Sequence, residues 1–264
     1  MVSQREEMDK GIILHGFVPV RGEPSERSEM TSQVLFGESY DILEFNKEWS
    51  FIRLHFDDYQ GWITNSAVSR LIQDDTPPDA QRIVIAQTAV VTREKTNQRV
   101  LLPAGSVTGI TEKNDFNLNG ELFRMAGPEQ YIKPDPSNDL EPIIQQLISI
   151  PYLWGGRCGF GFDCSGLTQF LSRIKDVKLP RDSRQQAQKG ININFMHETM
   201  QGDLAFFDNA EGEITHVGMI LEGGRIVHAS GYVRIDRIDQ QGIFNVEKER
   251  YSHKLRVIKR PTFA

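Results

Sequence analysis

The residues that could do chemistry gather around Cys164. It sits in Asp163-Cys164-Ser165-Gly166, ahead of Leu167, Phe170, Leu171 and Ile174, whose spacing predicts a helix with one buried face. Asp163 is placed to cap that helix. Cys164 then falls in the first turn, where free backbone N–H groups and the positive end of the dipole converge. A thiol there is biased toward thiolate, the form that attacks a carbonyl carbon. The dipole contributes about 0.3–1 kcal/mol, whereas one pKa unit takes about 1.36 kcal/mol. It cannot alone bring a thiol from about 8.5 to well below neutrality; a paired imidazolium can.

The histidines are His15, His55, His197, His216, His228 and His253. His216 and His228 lie in Ile214–Leu221 and Arg225–Ala229, apolar runs joined by Glu222-Gly223-Gly224 and predicted to form a hairpin. Register decides whether they cooperate. A two-residue loop, Gly223-Gly224, would pair His228 with Met219 and turn the two imidazoles to opposite faces. A three-residue loop pairs His228 with Gly218 and puts both rings on one face, diagonal neighbours about 7–8 Å apart at the backbone. The pattern therefore predicts the three-residue loop or a bulge, which glycine eases. His216 then acts as general base and acid for Cys164, and His228 orients His216. The other four histidines have no partner in the pattern and are read as ordinary residues. Cys158 is read as a small buried hydrophobe. Cys164, His216 and His228 are also zinc-ligand types, but nucleophilic catalysis explains the same set, and no metal or cofactor is expected.

The elements that position these residues fall in three segments. Residues 1–75 read as short aromatic and β-branched strands: Ile12–Val20, Val34–Glu38, Tyr40–Phe45, Trp49–Leu54 and Tyr59–Ile63, a small all-β barrel. Asp74–Asp79, with two prolines, reads as a stiff linker. Residues 80–135 carry a second β pattern at Val84–Ala86, Ala89–Val91, Val100–Leu102, Val107–Ile110 and Leu122–Met125, with turns at Pro103–Gly105 and Asn117–Gly120. Units this small bury themselves only marginally, so each is expected to pack on a neighbour. Residues 140–264 read as α+β. A helix spans Glu141–Ile150, the Cys164 helix follows, and Ser183-Arg184-Gln185-Gln186 fits a capping box opening a helix toward Gly190. Strands follow at Asp203–Phe207, Ile214–Leu221, Arg225–Ala229 and Lys254–Lys259. A nucleophile-bearing helix packed on an antiparallel sheet is the papain-like layout.

The chain has 264 residues, 39% hydrophobic and 25% charged, as an ordinary globular protein does. The net charge of −6 argues against nucleic acid or an anionic membrane as partner. No apolar run approaches the roughly 18 residues of a membrane span. The polar start Met1–Lys10 is unlike a signal peptide, which gives the expectation of a cytoplasmic protein.

Tyr152-Leu153-Trp154-Gly155-Gly156, Asp163–Leu167, Gly202–Phe207, His216-Val217-Gly218 and His228-Ala229 occur in the order found in the NlpC-type cysteine peptidases of bacterial cell-wall metabolism, which residues 140–264 resemble. Residues 1–75, ending in Gly61-Trp62-Ile63, resemble the bacterial SH3-like domain, and 80–135 look like a diverged second copy. The fold implied is α+β, a papain-like catalytic domain preceded by two small all-β SH3-like barrels. This arrangement is similar to the cytoplasmic γ-D-glutamyl-L-diamino acid endopeptidases that recycle cell-wall peptides. That resemblance implies a Cys164–His216–His228 triad and a murein peptide substrate, L-Ala-γ-D-Glu-diamino acid, ending in diaminopimelate or Lys. Tyr152 would aid the oxyanion. Asp163, Ser165 and Ser183 would contact substrate, with Asp163 on the free amine of the N-terminal L-Ala. The first SH3-like domain would supply Tyr59 and an acid, Glu29, with Glu26 close behind. The alternatives are an amidase, acyltransferase or autolysin of the same fold, and a non-catalytic wall-binding protein.

Overall fold

A computed structural model describes residues 9–72, 81–109, 114–127 and 130–262. The expected linker at Asp74–Asp79, and Ile110 of one expected strand, lie outside the described residues. The chain forms two compact units, 1–84 with 88–131 and 85–87 with 132–264.

In the first unit, a seven-stranded antiparallel sheet runs in the order Met30–Leu35, Phe17–Arg21, Gln60–Thr64, Trp49–Leu54, Ser39–Phe45, Lys10–Ile12 and Ser69–Arg70. Its core is built from alternate strand residues, among them Val18, Val20, Val34, Ile52, Leu54 and Ile63. The expected single strand Ile12–Val20 is two strands, and the segment between them turns. The second β segment contributes a four-stranded sheet ordered Gln98–Pro103, Thr88–Arg93, Glu121–Met125 and Asp115–Leu118. Asn117 and Leu118 belong to a strand, not to the expected turn. The turn is Asn119-Gly120 alone, both at positive φ, the two-residue type that matches strand twist. The two β segments share one core. Ile12, Leu14 and Phe36 of the first pack with Val91, Phe116 and Phe123 of the second, and the Val107 N–H donates to the Phe36 carbonyl at 2.8 Å. Small barrels that cannot bury enough apolar surface alone gain it by fusing their cores.

In the second unit, the Arg250–Arg260, Leu204–Asp208, Ile214–Leu221, Arg225–Ser230, Tyr232–Ile238 and Gly242–Asn245 strands are hydrogen-bonded in that order. Gly242–Asn245 pairs back onto Arg250–Arg260, so the sheet closes on itself. Phe207, Ile220, Ile226, Ile238, Ile243 and Ile258 fill the inner face. The strands Tyr232–Ile238, Gly242–Asn245 and Ile191–Ile193 have no counterpart in the expected set.

The helix expected to reach Ile150 stops at Leu147. Ser149 turns out at φ 70°, and its N–H donates to Val233 O while Ile150 O accepts from the Val233 N–H. Strand pairing takes the chain before the helix can continue. The helix expected to run toward Gly190 is only Ser183–Gln186, and the cap position is Asp182 rather than Ser183. Gln186 makes no capping box: its side chain bonds Thr168, Ser165 O and Pro180 O.

Candidate active site

The nucleophile helix spans Cys164–Ile174, with Asp163 at the N-cap in extended conformation and its carboxylate accepting from the Gly166 N–H at 2.7 Å. The expected apolar face is buried, but so is almost everything else: only Arg173 of its residues is not. Buried polar groups therefore need partners. Thr168 meets Gln186 at 2.9 Å, and Gln169 meets Arg157 Nε at 2.8 Å and the Leu179 carbonyl at 3.0 Å. Gly166 is required by close approach, since a Cβ there would stand 2.1 Å from the Gly156 carbonyl oxygen.

Asp163 does more than cap. It accepts from the Gly155 and Gly166 N–H groups, from Ser165 Oγ and from both terminal nitrogens of Arg181, at 2.5–3.1 Å. Five protein donors use up the roughly four lone-pair sites of a carboxylate. One of these partners is an ion pair with Arg181, itself 1% exposed. Ser165 is drawn into the same network, donating to Asp163 and accepting from Arg181 at 2.8 Å. Asp163 braces the Tyr152–Gly156 loop against the helix through the Gly155 N–H. Ser183 is half-buried in its short helix. Arg181 escaped the sequence reading because nothing in Leu179-Pro180-Arg181 signals that a guanidinium will be buried.

The hairpin has the three-residue loop that brings the imidazoles together. Leu221 pairs with Arg225 and Met219 with Val227, and Gly223 and Gly224 take φ of 73° and 68°. His216 Nε2 lies 2.9 Å from His228 Nδ1. His228 Nε2 in turn lies 3.1 Å from Asp236 Oδ2. The carboxylate decides the tautomers. His228 donates from Nε2 to Asp236, so its Nδ1 accepts from His216 Nε2–H, and His216 Nδ1 is left as the basic nitrogen. Asp236 is anchored by Arg234, whose Nε is 2.8 Å away, and these two partners hold its carboxyl below the usual range against the opposing effect of burial. Asp236 was missed because Tyr232–Ile238 was not read as a strand; its alternation with buried Ile238 is the signal that would have placed it on this face.

His253 also departs from its expected isolation. Its ring lies 4.2 Å from that of His216 and 5.7 Å from that of His228. His216, His228 and His253 each offer a nitrogen, all within 4.8 Å of one another. Cys164 is not part of this group, so the zinc-ligand set considered from sequence is not the one assembled.

Cys164 is buried at 8% exposure. The backbone N–H groups of Val217 and Ser165 reach its thiol, which places it beside the His216 strand. Burial, and then the charge of Asp163, push the thiol up to about 11 despite those donors. Burial, His228 and His253 hold His216 well below 6.5. This corrects the expected resident thiolate: the resting pair is neutral thiol and neutral imidazole, because the low-dielectric site penalises both ions more than dipole and donors favour them. Tyr152 stands near enough to Cys164 and Asp163 that burial and their charges raise its phenol. It stays a protonated donor. Tyr59 and Glu29 belong to the first unit, Tyr59 half-buried against that unit's core and Glu29 exposed. Glu26, the other acid considered, pairs with Arg21 at 3.2 Å.

Residues 149–253 match the NlpC/P60 family, and residues 20–68 match the bacterial dipeptidyl-peptidase Sh3 domain. The chain is 32% identical over 142 residues to a gamma-D-glutamyl-L-lysine dipeptidyl-peptidase of Bacillus cereus, covering 53% of this chain and 40% of that protein's length. It is 32% identical over 118 residues to the probable endopeptidase NlpC of Escherichia coli, covering 40% of this chain and 76% of that one. A crystal structure of an NlpC/P60 family protein from Bacillus cereus superposes with a TM-score of 0.79 at 17% identity, over 95% of this chain and 99% of the other, a likeness of fold. By its matched motifs, its fold and its shared sequence, the chain belongs to the NlpC/P60 family of cysteine peptidases.

Proposed function

We propose that the protein hydrolyses the γ-D-glutamyl–diamino acid bond of murein peptides that carry a free N-terminal L-Ala. The observation that carries the hydrolytic reading is the His216–His228–Asp236 chain, which leaves a basic nitrogen on His216 in the strand beside Cys164. The bond specificity is supported by the likeness to proteins named gamma-D-glutamyl-L-lysine dipeptidyl-peptidase and by the matched Sh3 domain. Cys164 Sγ attacks the γ-carbonyl carbon as its proton passes to His216 Nδ1, so the ion pair forms only as the reaction proceeds. The oxyanion is met by the Cys164 N–H and the Tyr152 phenol. Collapse breaks the C–N bond, His216 returns the proton to the leaving amine, and a thioester remains. Water activated by His216 then releases L-Ala-D-Glu and restores the thiol.

On the resemblance alone, Tyr59 and Glu29 are proposed to read the free amine. Recycling of cell-wall peptides in the cytoplasm is the setting such a requirement fits. The test is incubation with L-Ala-γ-D-Glu-diaminopimelate and its Lys counterpart, their N-acetylated forms and intact peptidoglycan, with Cys164→Ala as control. Cleavage of the free peptides alone supports the proposal. Cleavage of polymer or acetylated peptide would replace it with an autolysin or amidase, and unchanged turnover by Cys164→Ala would end the mechanism.

A further inference from the structure

A cavity of about 830 Å³ opens on the second unit, lined in part by Asp208, Glu211, Thr215, His253, Lys254 and Arg256. It adjoins the catalytic base through His253, whose ring is stacked on that of His216. Asp208 is the unusual member. Its side chain is 6% exposed, yet its nearest cation, Arg256 Nε, is 3.7 Å from Oδ2, beyond hydrogen-bond distance. Its Oδ1 is buried and takes no hydrogen bond among the described residues. Asp208 pairs with Ile214 on one side and Lys254 on the other, and the register shifts just before it, between Phe207 and Asp208 on the first side and between Phe206 and Phe207 on the second. Bulges of this kind re-aim a side chain away from the regular ladder. A buried carboxylate oxygen without a donor is costly, so the site is matched to a ligand that brings one.

The cavity's charges are mixed, with Asp208 and Glu211 against Lys254 and Arg256. That pattern fits a zwitterion better than a simple anion or cation. We infer that this cavity holds the leaving half of the substrate, a diamino acid, with its side-chain ammonium on Asp208 and a carboxylate toward Lys254 and Arg256. The inference rests on the hydrolysis proposed above, in which His216 hands its proton to the departing amine. The departing residue therefore leaves alongside His216, where the cavity lies. An ammonium on Oδ1 supplies the missing donor, and an isosteric apolar side chain would leave that oxygen unpaired, the arrangement by which polar sites reject analogues.

The experiment compares L-Ala-γ-D-Glu-L-Lys with the peptide ending in L-norleucine, which lacks only the side-chain amine, in wild type and in Asp208→Asn. Wild type should prefer the Lys peptide by roughly tenfold or more in kcat/KM, chiefly through KM. In Asp208→Asn the ratio should fall toward one. Wild type cleaving both peptides equally well overturns this inference alone, and that comparison stands even if the variant does not fold. A variant that loses both activities with the ratio preserved also overturns it, because Asp208 would then serve structure only. Wild type that cleaves the diaminopimelate counterpart but neither of these peptides overturns this inference alone, while turnover of none of the three overturns the proposed hydrolysis, and this inference falls with it.

Discussion

His253 lies against His216 with ring centroids 4.2 Å apart and planes inclined by only 22°. Phe207 flanks both rings at 5.8 Å, and His228 stands nearly perpendicular to each. Burial, then the neighbouring His228, pulls His253 down to about 4, opposed by Asp236. It therefore presents a neutral face that keeps water from His216. His216 must be unprotonated to accept the thiol proton, so activity falls as pH drops through its folded pKa. In His253→Asn, water reaches His216, its pKa rises toward 6.5, and the acid limb of kcat/KM should move up by roughly one pH unit. His253→Phe keeps the stack and should keep the limb where it is. Paired pH–rate profiles check this.

Asp236 fixes the tautomer of His228 from 3.1 Å away, and through it the proton position on His216. In Asp236→Asn the amide can donate to His228 Nε2 and favour the wrong tautomer. We expect kcat to fall by roughly 10- to 100-fold with KM little changed, a split that simple loss of structure would not produce.

Arg181 and Asp163 form an ion pair with side chains 1% and 10% exposed. Arg181→Met strands a buried carboxylate and should lower stability by about 3–5 kcal/mol in urea unfolding. The double change Arg181→Met with Asp163→Asn should recover much of that loss, because no buried charge remains uncompensated.

With its thiol pushed up to about 11, Cys164 is thiolate in only about one molecule in a thousand at pH 8. Iodoacetamide should therefore label the unliganded protein roughly 100-fold more slowly at this residue than it labels free cysteine, and faster as pH rises. A labelling rate already on a plateau at neutral pH would show a resident ion pair instead.

Acid should unfold the protein in a defined window. His253 is held at about 4 against an unperturbed 6.5, and His216 is displaced in the same direction. Between these values the unfolded chain binds protons that the native state does not, so stability is intact above about pH 6.5 and declines as pH falls. Asp236, lowered from 3.8, adds a further loss below that value. Each pH unit costs up to about 1.4 kcal/mol per buried histidine, less for the half-exposed His253. Urea midpoints at pH 7.5 and pH 5 should show the lower value at pH 5.

Local pattern determined much of this protein. The capped helix at Asp163-Cys164, the Ile214–Leu221 and Arg225–Ser230 strands and the need for a three-residue loop between them were all legible, because each depends on residues near in sequence. The β character of residues 10–125 was legible for the same reason, although strand limits moved by a few residues. Tertiary structure alone decided the rest. Asp236 reaches His228 because Tyr232–Ile238 pairs beside Arg225–Ser230, and His253 reaches His216 because Arg250–Arg260 returns to pair with Leu204–Asp208, next to the His216 strand. Arg181 arrives beside Asp163 across a loop whose sequence carries no periodic signal. Most telling is the charge state at Cys164. Helix position and a paired imidazole argued for thiolate, but the cost of burying both charges depends on the whole surrounding fold, and the folded site holds both groups neutral.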